Sequence, residues 1–251
     1  MPNQKIHKDQ YILLLGRENY VVRCRDRFDC EFGGVDLNKV VGKKFGIKLK
    51  LGKESFTVVR PTITDIMFKL AKRAPQVVLP KDASTILAVT GVDRNASVVD
   101  AGTGSGFLSM FLANYVGKVS TYERKKEFYK LASKNIKNSG LGNITAHLGD
   151  ISKGIKERDV DLITLDMEKP EKVIRIAWRA LKPGGWITIY CLHVEGMQAV
   201  CKELAKRHFS NPTILENIQR NWQIQVGERT WTRPKTAMLG HTGFLVFARK
   251  I

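Results

Sequence analysis

Cysteine is scarce in this chain. Cys24, Cys30, Cys191 and Cys201 form no Cys-x-x-Cys pair, and no histidine stands at a zinc-ligand offset from them. A disulfide-stapled scaffold and a zinc-held fold are therefore excluded. Reduced thiols are expected, with Cys24 and Cys30 the one pair spaced to bridge within a hairpin. His7, His147, His193, His208 and His241 are scattered, and no metal site is predicted. Long hydrophobic runs are missing too, since none reaches the roughly 18–20 residues that span a bilayer. Residues 1–8 lack the apolar stretch of a secretory signal. These absences predict a soluble, cytoplasmic protein with no membrane partner. Negative charge is the last shortage: 24 Asp+Glu stand against 42 Lys+Arg, a formal net charge of +18.

What is present suffices for a core. The 251 residues are 43% hydrophobic and 26% charged, and a domain of that length hides roughly three quarters of its unfolded surface. Disordered and fibrous polymers are excluded. Excess positive charge raises the rate of encounter with polyanions and adds sequence-independent affinity through counterion release. Nucleic acid is the favoured partner, against the alternative of charge kept for solubility alone. An anionic membrane surface is disfavoured, because no long helix pairs a basic face with a fully apolar one.

The chain divides by pattern. Tyr11 to Leu15 and Tyr20 to Cys24 read as strands around the turn-forming Gly16-Arg17-Glu18-Asn19. Gly33-Gly34, Gly42, Gly46 and Gly52 punctuate further β-rich pieces up to Arg60-Pro61. This predicts a small all-β, barrel-like module over residues 1–61. Thr62 offers an N-cap, and Ile63, Ile66, Met67 and Leu70 recur at helical spacing, which predicts a connector helix over 62–75. From 76 to 251 strands and helices alternate. Strands are expected at 97–100, 119–123, 144–148, 161–165 and 186–190, with helices between them, among these 170–181 and 194–208. A last strand is expected at 243–248. Repeated βα units imply a mostly parallel, doubly wound sheet covered on both faces, an α/β fold.

Chemistry gathers at the carboxyl ends of those strands. Asp100-Ala101-Gly102-Thr103-Gly104-Ser105-Gly106 follows the first of them and opens a helix. Glycines let the backbone turn tightly and approach a ligand, while a helix start offers free N–H groups. A purely structural turn is the alternative. Glu123 ends the next strand, about twenty residues on, where a carboxylate accepts bonds from ribose hydroxyls. Asp150 lies at another carboxyl end along the same crevice. A dinucleotide site would want its third glycine one place later, where Phe107 stands. Asp166 ends the fourth strand of the run. A carboxylate there can hold an exocyclic amine in plane and make the adjoining ring nitrogen more nucleophilic; alternatively it is an N-cap before Pro170.

The acid-x-Gly-x-Gly-x-Gly stretch resembles the first motif of class I S-adenosylmethionine-dependent methyltransferases. Beyond it, the chain resembles the bacterial and archaeal tRNA (adenine-N1)-methyltransferases. The resemblance is carried by Arg60-Pro61-Thr62, by Gln76-Val77-Val78-Leu79-Pro80-Lys81-Asp82, and by Arg233-Pro234 with Gly240-His241-Thr242-Gly243-Phe244. It implies a Rossmann-like class I methyltransferase fold behind a small N-terminal β domain. It further implies S-adenosyl-L-methionine as cofactor, tRNA as partner, formation of 1-methyladenosine at T-loop position 58 and sometimes 57, and a homotetramer. Carried over by position, Gly102, Gly104, Ser105, Gly106, Phe107 and Leu108 would shape the cofactor loop. Glu123 would hold the ribose, Phe128 would flank the adenosine, Asp150 would bind near its adenine, and Asp166 would be the catalytic carboxylate. The chain departs from the family pattern at Met167-Glu168, often Leu-Pro there, and at Leu79, often Tyr or His.

Phosphate contacts are expected from Lys43, Lys44, Lys48, Lys50 and Lys53 early in the chain, and from Arg220, Arg229 and Arg233 late. Trp222 and Trp231 alternate with those arginines and could stack on splayed bases, or else pack in a core or subunit interface. Two rival readings exist. A non-catalytic RNA-binding subunit on the same fold predicts loss of the glycines or the acid, yet Gly102, Gly104, Gly106 and Asp166 are kept. A small-molecule or protein methyltransferase leaves the front β module and the net charge without a purpose.

Overall fold

The structure is a computed structural model that describes residues 5–74 and 76–251, in two compact units, Met1–Lys72 and Arg73–Ile251. Residue 75, where the expected connector ends, and residues 1–4 lie outside the described residues. In the first unit, β1 (Tyr11–Leu15), β2 (Tyr20–Arg23), β5 (Lys48–Leu51) and β6 (Glu54–Val59) form an antiparallel sheet in the order β2-β1-β6-β5. β3 (Arg27–Cys30) and β4 (Gly33–Asp36) pair as a separate hairpin. The unbroken apolar run of β1 has a physical reason, because both its faces are covered. Ile12 and Leu14 join a core with Phe56 and Val58, while Leu13 on the other face meets Val21 and Ile66. Ile66 belongs to α1 (Ile63–Lys69), whose start is fixed by a capping box: Thr62 Oγ1 accepts from Asp65 N at 3.2 Å and Thr62 N donates to Asp65 Oδ2 at 2.8 Å.

The second unit carries a seven-stranded sheet. Its strands are β7 (Ser97–Ala101), β8 (Lys118–Glu123), β9 (Ile144–Leu148), β10 (Val160–Leu165), β11 (Leu181–Cys191), β12 (Thr213–Glu216) and β15 (Phe244–Arg249), in the order β12-β15-β11-β10-β7-β8-β9. β15 runs antiparallel to both neighbours; the remaining pairs are parallel. α2 (Pro80–Thr90), α3 (Phe107–Ala113), α4 (Lys126–Ser139), α5 (Ile174–Ala180) and α6 (Val194–Ala205) accompany it. Val99, Ile163, Leu165, Ile187, Ile189 and Val246 are buried in one cluster with Ile174, Ala177 and Val200 of the helices. The chain leaves β7 through β8 and β9 on one side and returns through β10 and β11 on the other. That reversal opens a crevice at the carboxyl ends of β7 and β10, where open α/β sheets bind ligands.

Several extents differ from expectation. β11 begins five residues before the expected 186. The helix expected over 170–181 is a 3₁₀ turn at Pro170–Lys172 followed by α5. α6 stops at Ala205, short of His208. β12 was not foreseen. Neither was the pairing of β13 (Trp222–Gln225) with β14 (Trp231–Pro234) as a hairpin of its own.

Candidate active site

One buried acid organises the switch point. Asp100 is 1% exposed, and its carboxylate accepts the hydroxyls of Ser109 at 2.6 Å, Thr121 at 2.8 Å and Thr164 at 2.7 Å. Those donors sit on α3, β8 and β10, so a single side chain ties together the elements that frame the crevice. Burial outweighs the three hydroxyl bonds and pushes the Asp100 carboxyl above its ordinary pKa.

The loop beyond it is built for close approach. Gly102 has φ +88, and a Cβ there would overlap the carbonyl oxygen of Asp166, so both its conformation and its neighbour require glycine. The backbone N–H of Asp166 donates to Ala101 O at 2.8 Å. Loop and acid are thereby stitched backbone to backbone. Glu123, buried at the end of β8, accepts from Gly104 N at 3.0 Å and Lys125 N at 2.9 Å, one bond on each oxygen. A lone pair on each oxygen remains for a ligand.

Gly102, Gly104, Glu123, Phe128, Asp150 and Asp166 line one cavity of about 640 Å³. Asp150 Oδ1 accepts from Ser152 N at 2.9 Å. The Ser152 hydroxyl and N–H together hold the Asp150 carboxyl below the usual carboxylate range. Lys125 Nζ sits 5.4 Å from the centre of the half-buried Phe128 ring. Ser105, Gly106, Phe107 and Leu108 are not part of the lining. The last two are buried in α3, Gly106 backs onto Ala132 and Ile136 of α4, and the Ser105 carbonyl accepts from Asn135 Nδ2 at 2.8 Å. They hold the loop's shape from behind.

Asp166 is the chemically unusual member. It is half-buried, and among the described residues nothing donates to its carboxylate. Burial first, and the neighbouring Asp100 charge second, push its pKa up to about 7. The N-cap alternative is not realised, since the residue before the 3₁₀ turn is Lys169, in left-handed conformation. Half ionised near neutrality and with no donor to it among the described residues, this carboxyl can accept a hydrogen bond from a ligand amine and then hold a proton.

The wall opposite the glycines went unread in the sequence. Tyr190 and Cys191 at the end of β11, with Leu192 and His193 just after it, line the cavity. Behind them, Asp82 is 0% exposed and forms an ion pair of 2.8 Å with Lys81. The only available signal was the Pro80-Lys81-Asp82 run, noted for its resemblance and not for its geometry. At the cavity rim Arg124 pairs with Glu168 at 2.8 Å. Trp222 and Trp231 are not in a core; they are 58% and 41% exposed, with Arg220 and Arg233 over their rings.

Known proteins share this architecture. The family described as tRNA methyltransferase complex GCD14 subunit matches residues 56–229. A Methanocaldococcus jannaschii protein named tRNA (adenine(57)-N(1)/adenine(58)-N(1))-methyltransferase TrmI is 34% identical over 255 residues, covering 89% of this chain and 88% of its own. Among solved structures, a SAM-dependent O-methyltransferase from Thermotoga maritima matches with a TM-score of 0.86 at 31% identity, over 98% of this chain and 95% of its own. A tRNA (m1A58) methyltransferase TrmI from Aquifex aeolicus matches with 0.80 at 26% identity, over 99% of both chains. The fold is the Rossmann-like class I methyltransferase fold with a small N-terminal β region. The extent of these matches places the chain in the GCD14 tRNA methyltransferase family.

Proposed function

We propose that this chain methylates N1 of adenosine 58 in the T-loop of tRNA, with S-adenosyl-L-methionine as donor and adenosine 57 as the second position to be scored. The observation that carries the reading is the half-buried Asp166 carboxyl, to which no described residue donates, in the same cavity as Gly102, Gly104 and Glu123. The donor set fits the cofactor. Gly102 and Gly104 present backbone without side chains, Glu123 keeps lone pairs for two vicinal hydroxyls, and Asp150 and the Phe128 face suit an adenine. When bound, the cofactor supplies an electrophilic methyl group on a sulfonium.

Asp166 accepts a hydrogen bond from the exocyclic amine of the target adenine and holds the base in plane. That bond draws electron density toward N1 and would make it more nucleophilic toward the methyl group that the bound donor would supply, with the donor's sulfur as the leaving group. The Asp166 charge then offsets the positive charge left on the ring and can take the amine proton. What remains is alignment and exclusion of water. Everting the base costs a few kcal/mol. Phosphate contacts from the exposed Lys43, Lys44, Lys48, Lys50 and Lys53 of the N-terminal unit help offset that.

The assembly is a homotetramer acting in the cytoplasm. Its support is the hairpin β13–β14 with its flanks, where Ile218, Trp222, Ile224, Val226 and Leu239 are each more than half exposed. Apolar residues so displayed, four of the five aliphatic, suit a second copy of the chain better than splayed bases. No helix among the described residues is long and apolar enough to cross a membrane.

The deciding experiment incubates purified protein with labelled S-adenosylmethionine and unmodified tRNA, then identifies the modified nucleoside and its position. 1-Methyladenosine in the T-loop is expected. A 2′-O-methylated nucleoside, or tRNA binding with no transfer, overturns the proposal.

A further inference from the structure

A buried ion pair stands behind the cavity wall opposite the glycines, and the cofactor contacts make no use of it. Lys81 Nζ donates to both Asp82 oxygens at 2.8 and 2.9 Å, to Asn217 O at 2.8 Å and to Thr242 Oγ1 at 2.7 Å. Asp82 in turn accepts from Asn217 Nδ2 at 2.9 Å and Thr242 Oγ1 at 3.1 Å, with the Tyr190 hydroxyl at 3.5 Å. The cluster thus links the start of α2, the residue after β12, the loop before β15 and the end of β11.

Such a pair is a poor choice for stability alone, because burying two charges costs several kcal/mol and apolar replacements of similar volume often do as well. Its use lies in register. Tyr190 is a cavity residue, and it is gripped twice. Its hydroxyl faces the Asp82 carboxylate, and its ring lies against Gly243, where a Cβ would come within 2.7 Å of the ring carbon Cζ. Burial pushes the Tyr190 phenol up to about 12, so at neutral pH it donates toward that carboxylate.

We propose that Lys81 and Asp82 are positioning residues for the acceptor base, acting through Tyr190 and the 242–243 loop to fix the cavity wall that the base packs against. This rests on the methyl-transfer reading above. The pair touches neither the glycine loop nor Glu123, so it governs the acceptor and leaves the donor alone.

The test uses the full-length protein. Asp82→Asn alone leaves a buried ammonium short of its partner, so the principal variant is the neutral double substitution Lys81→Met/Asp82→Leu. Thr242→Val and Thr242→Ser form a second, milder pair. The double variant is expected to keep cofactor Kd within about twofold and to lose about 100-fold in kcat/KM for tRNA, the scale of a displacement near 1 Å. Hydrogen exchange of residues 190–193 should rise at the same time. Thr242→Val should show a smaller version of that loss, and Thr242→Ser should restore wild-type turnover. Wild-type kcat/KM in the double variant, unchanged exchange at 190–193, or equal losses in both Thr242 variants overturns the proposal. If the double variant does not fold, the Thr242 pair decides. If wild type makes no 1-methyladenosine, the function proposal falls and the exchange measurement alone decides this one.

Discussion

The wall carrying Gly102, Gly104 and Glu123 is knit mainly from neighbours in the chain, with Thr164 joining Asp100 from 64 residues away. Gly104 reaches Glu123 across 19 residues, and Thr121 reaches Asp100 across 21. The wall carrying Tyr190 and Leu192 is knit from strangers: Lys81 bonds Asn217 across 136 residues and Thr242 across 161. The first uses backbone N–H groups and hydroxyls on carboxylates; the second uses a buried ion pair. A nucleoside cofactor needs the same few hydrogen bonds in any enzyme of this fold, and a strand–loop–helix unit provides them locally. An acceptor base must be met by a surface particular to the substrate, and here distant segments assemble it. Binding of donor and acceptor should therefore fail independently.

Asp166 stands between the two walls and gives the largest effect. Asp166→Ala should lower kcat by about 10³-fold, within the range of one general acid–base group, while cofactor Kd hardly changes. Calorimetric cofactor titration beside single-turnover transfer checks both halves. Asp166→Asn should be as inactive yet more heat-stable above pH 7. The raised carboxyl pKa means that ionising Asp166 in the folded protein costs stability as pH climbs from the ordinary carboxylate value to about 7. Lost cofactor binding in Asp166→Ala would show that the acid belongs to the donor wall and would dissolve the contrast.

Gly102→Ala comes next and should break the donor wall and shift the neighbouring Asp166 backbone with it. The new methyl meets the Asp166 carbonyl in a left-handed residue, for a combined cost of at least about 2 kcal/mol. That corresponds to a fall in Tm of roughly 5 °C or more in a domain this size. Cofactor affinity should drop with it, while tRNA affinity, measured by filter binding, stays near wild type.

A milder probe sharpens the coupling across the site. In kcat/KM, which reports the free enzyme, activity should rise with pH along a limb centred near 7 as Asp166 ionises. Asp100→Asn removes the second cause of that raised value, so the limb should move to lower pH. A limb that stays in place would leave burial as the whole cause. For the assembly, Ile224→Lys places a charge on a residue 63% exposed in the hairpin. It should reduce the mass seen by light scattering without lowering the Tm of the isolated subunit.

The same contrast explains what could be read from the residues. The parallel sheet was legible because strands such as Asp161 to Leu165 are short apolar runs ended by a polar residue. The donor wall was legible because Gly102 and Glu123 lie a fixed βα unit apart. Phe107 and Leu108 were legible only as part of the loop; that they sit in the core behind it depends on which face of α3 the sheet covers. Tyr190 read as the last residue of a strand, since nothing local marks its neighbours. Asp82 was legible only as the end of the run from Gln76 to Asp82 that carries the family resemblance. Its burial follows from Asn217 and Thr242, which no spacing in the sequence brings near.

The smallest effect concerns a second tie on the acceptor side. His241 Nδ1 lies 2.5 Å from Glu216 Oε1 and its Nε2 lies 3.1 Å from Leu192 O, so the ring joins the end of β12 to a cavity residue. Only the doubly protonated ring donates both bonds. The Glu216 carboxylate, then the Leu192 carbonyl, raise the pKa of His241 above the ordinary imidazole value, with partial burial and Lys81 opposing. The tie is therefore complete below about 6.5 and is lost as pH rises through the raised folded value. With side chains 46% and 33% exposed, it contributes little to global stability and acts on the local loop. An NMR titration of His241 should give a midpoint above the ordinary value, and Glu216→Gln should bring it down. Exchange at residues 191–193 should quicken across the same pH interval in wild type and lose that dependence in the variant. An unmoved midpoint in Glu216→Gln would leave the ion pair of Lys81 and Asp82 as the charged brace of the acceptor wall among the described residues.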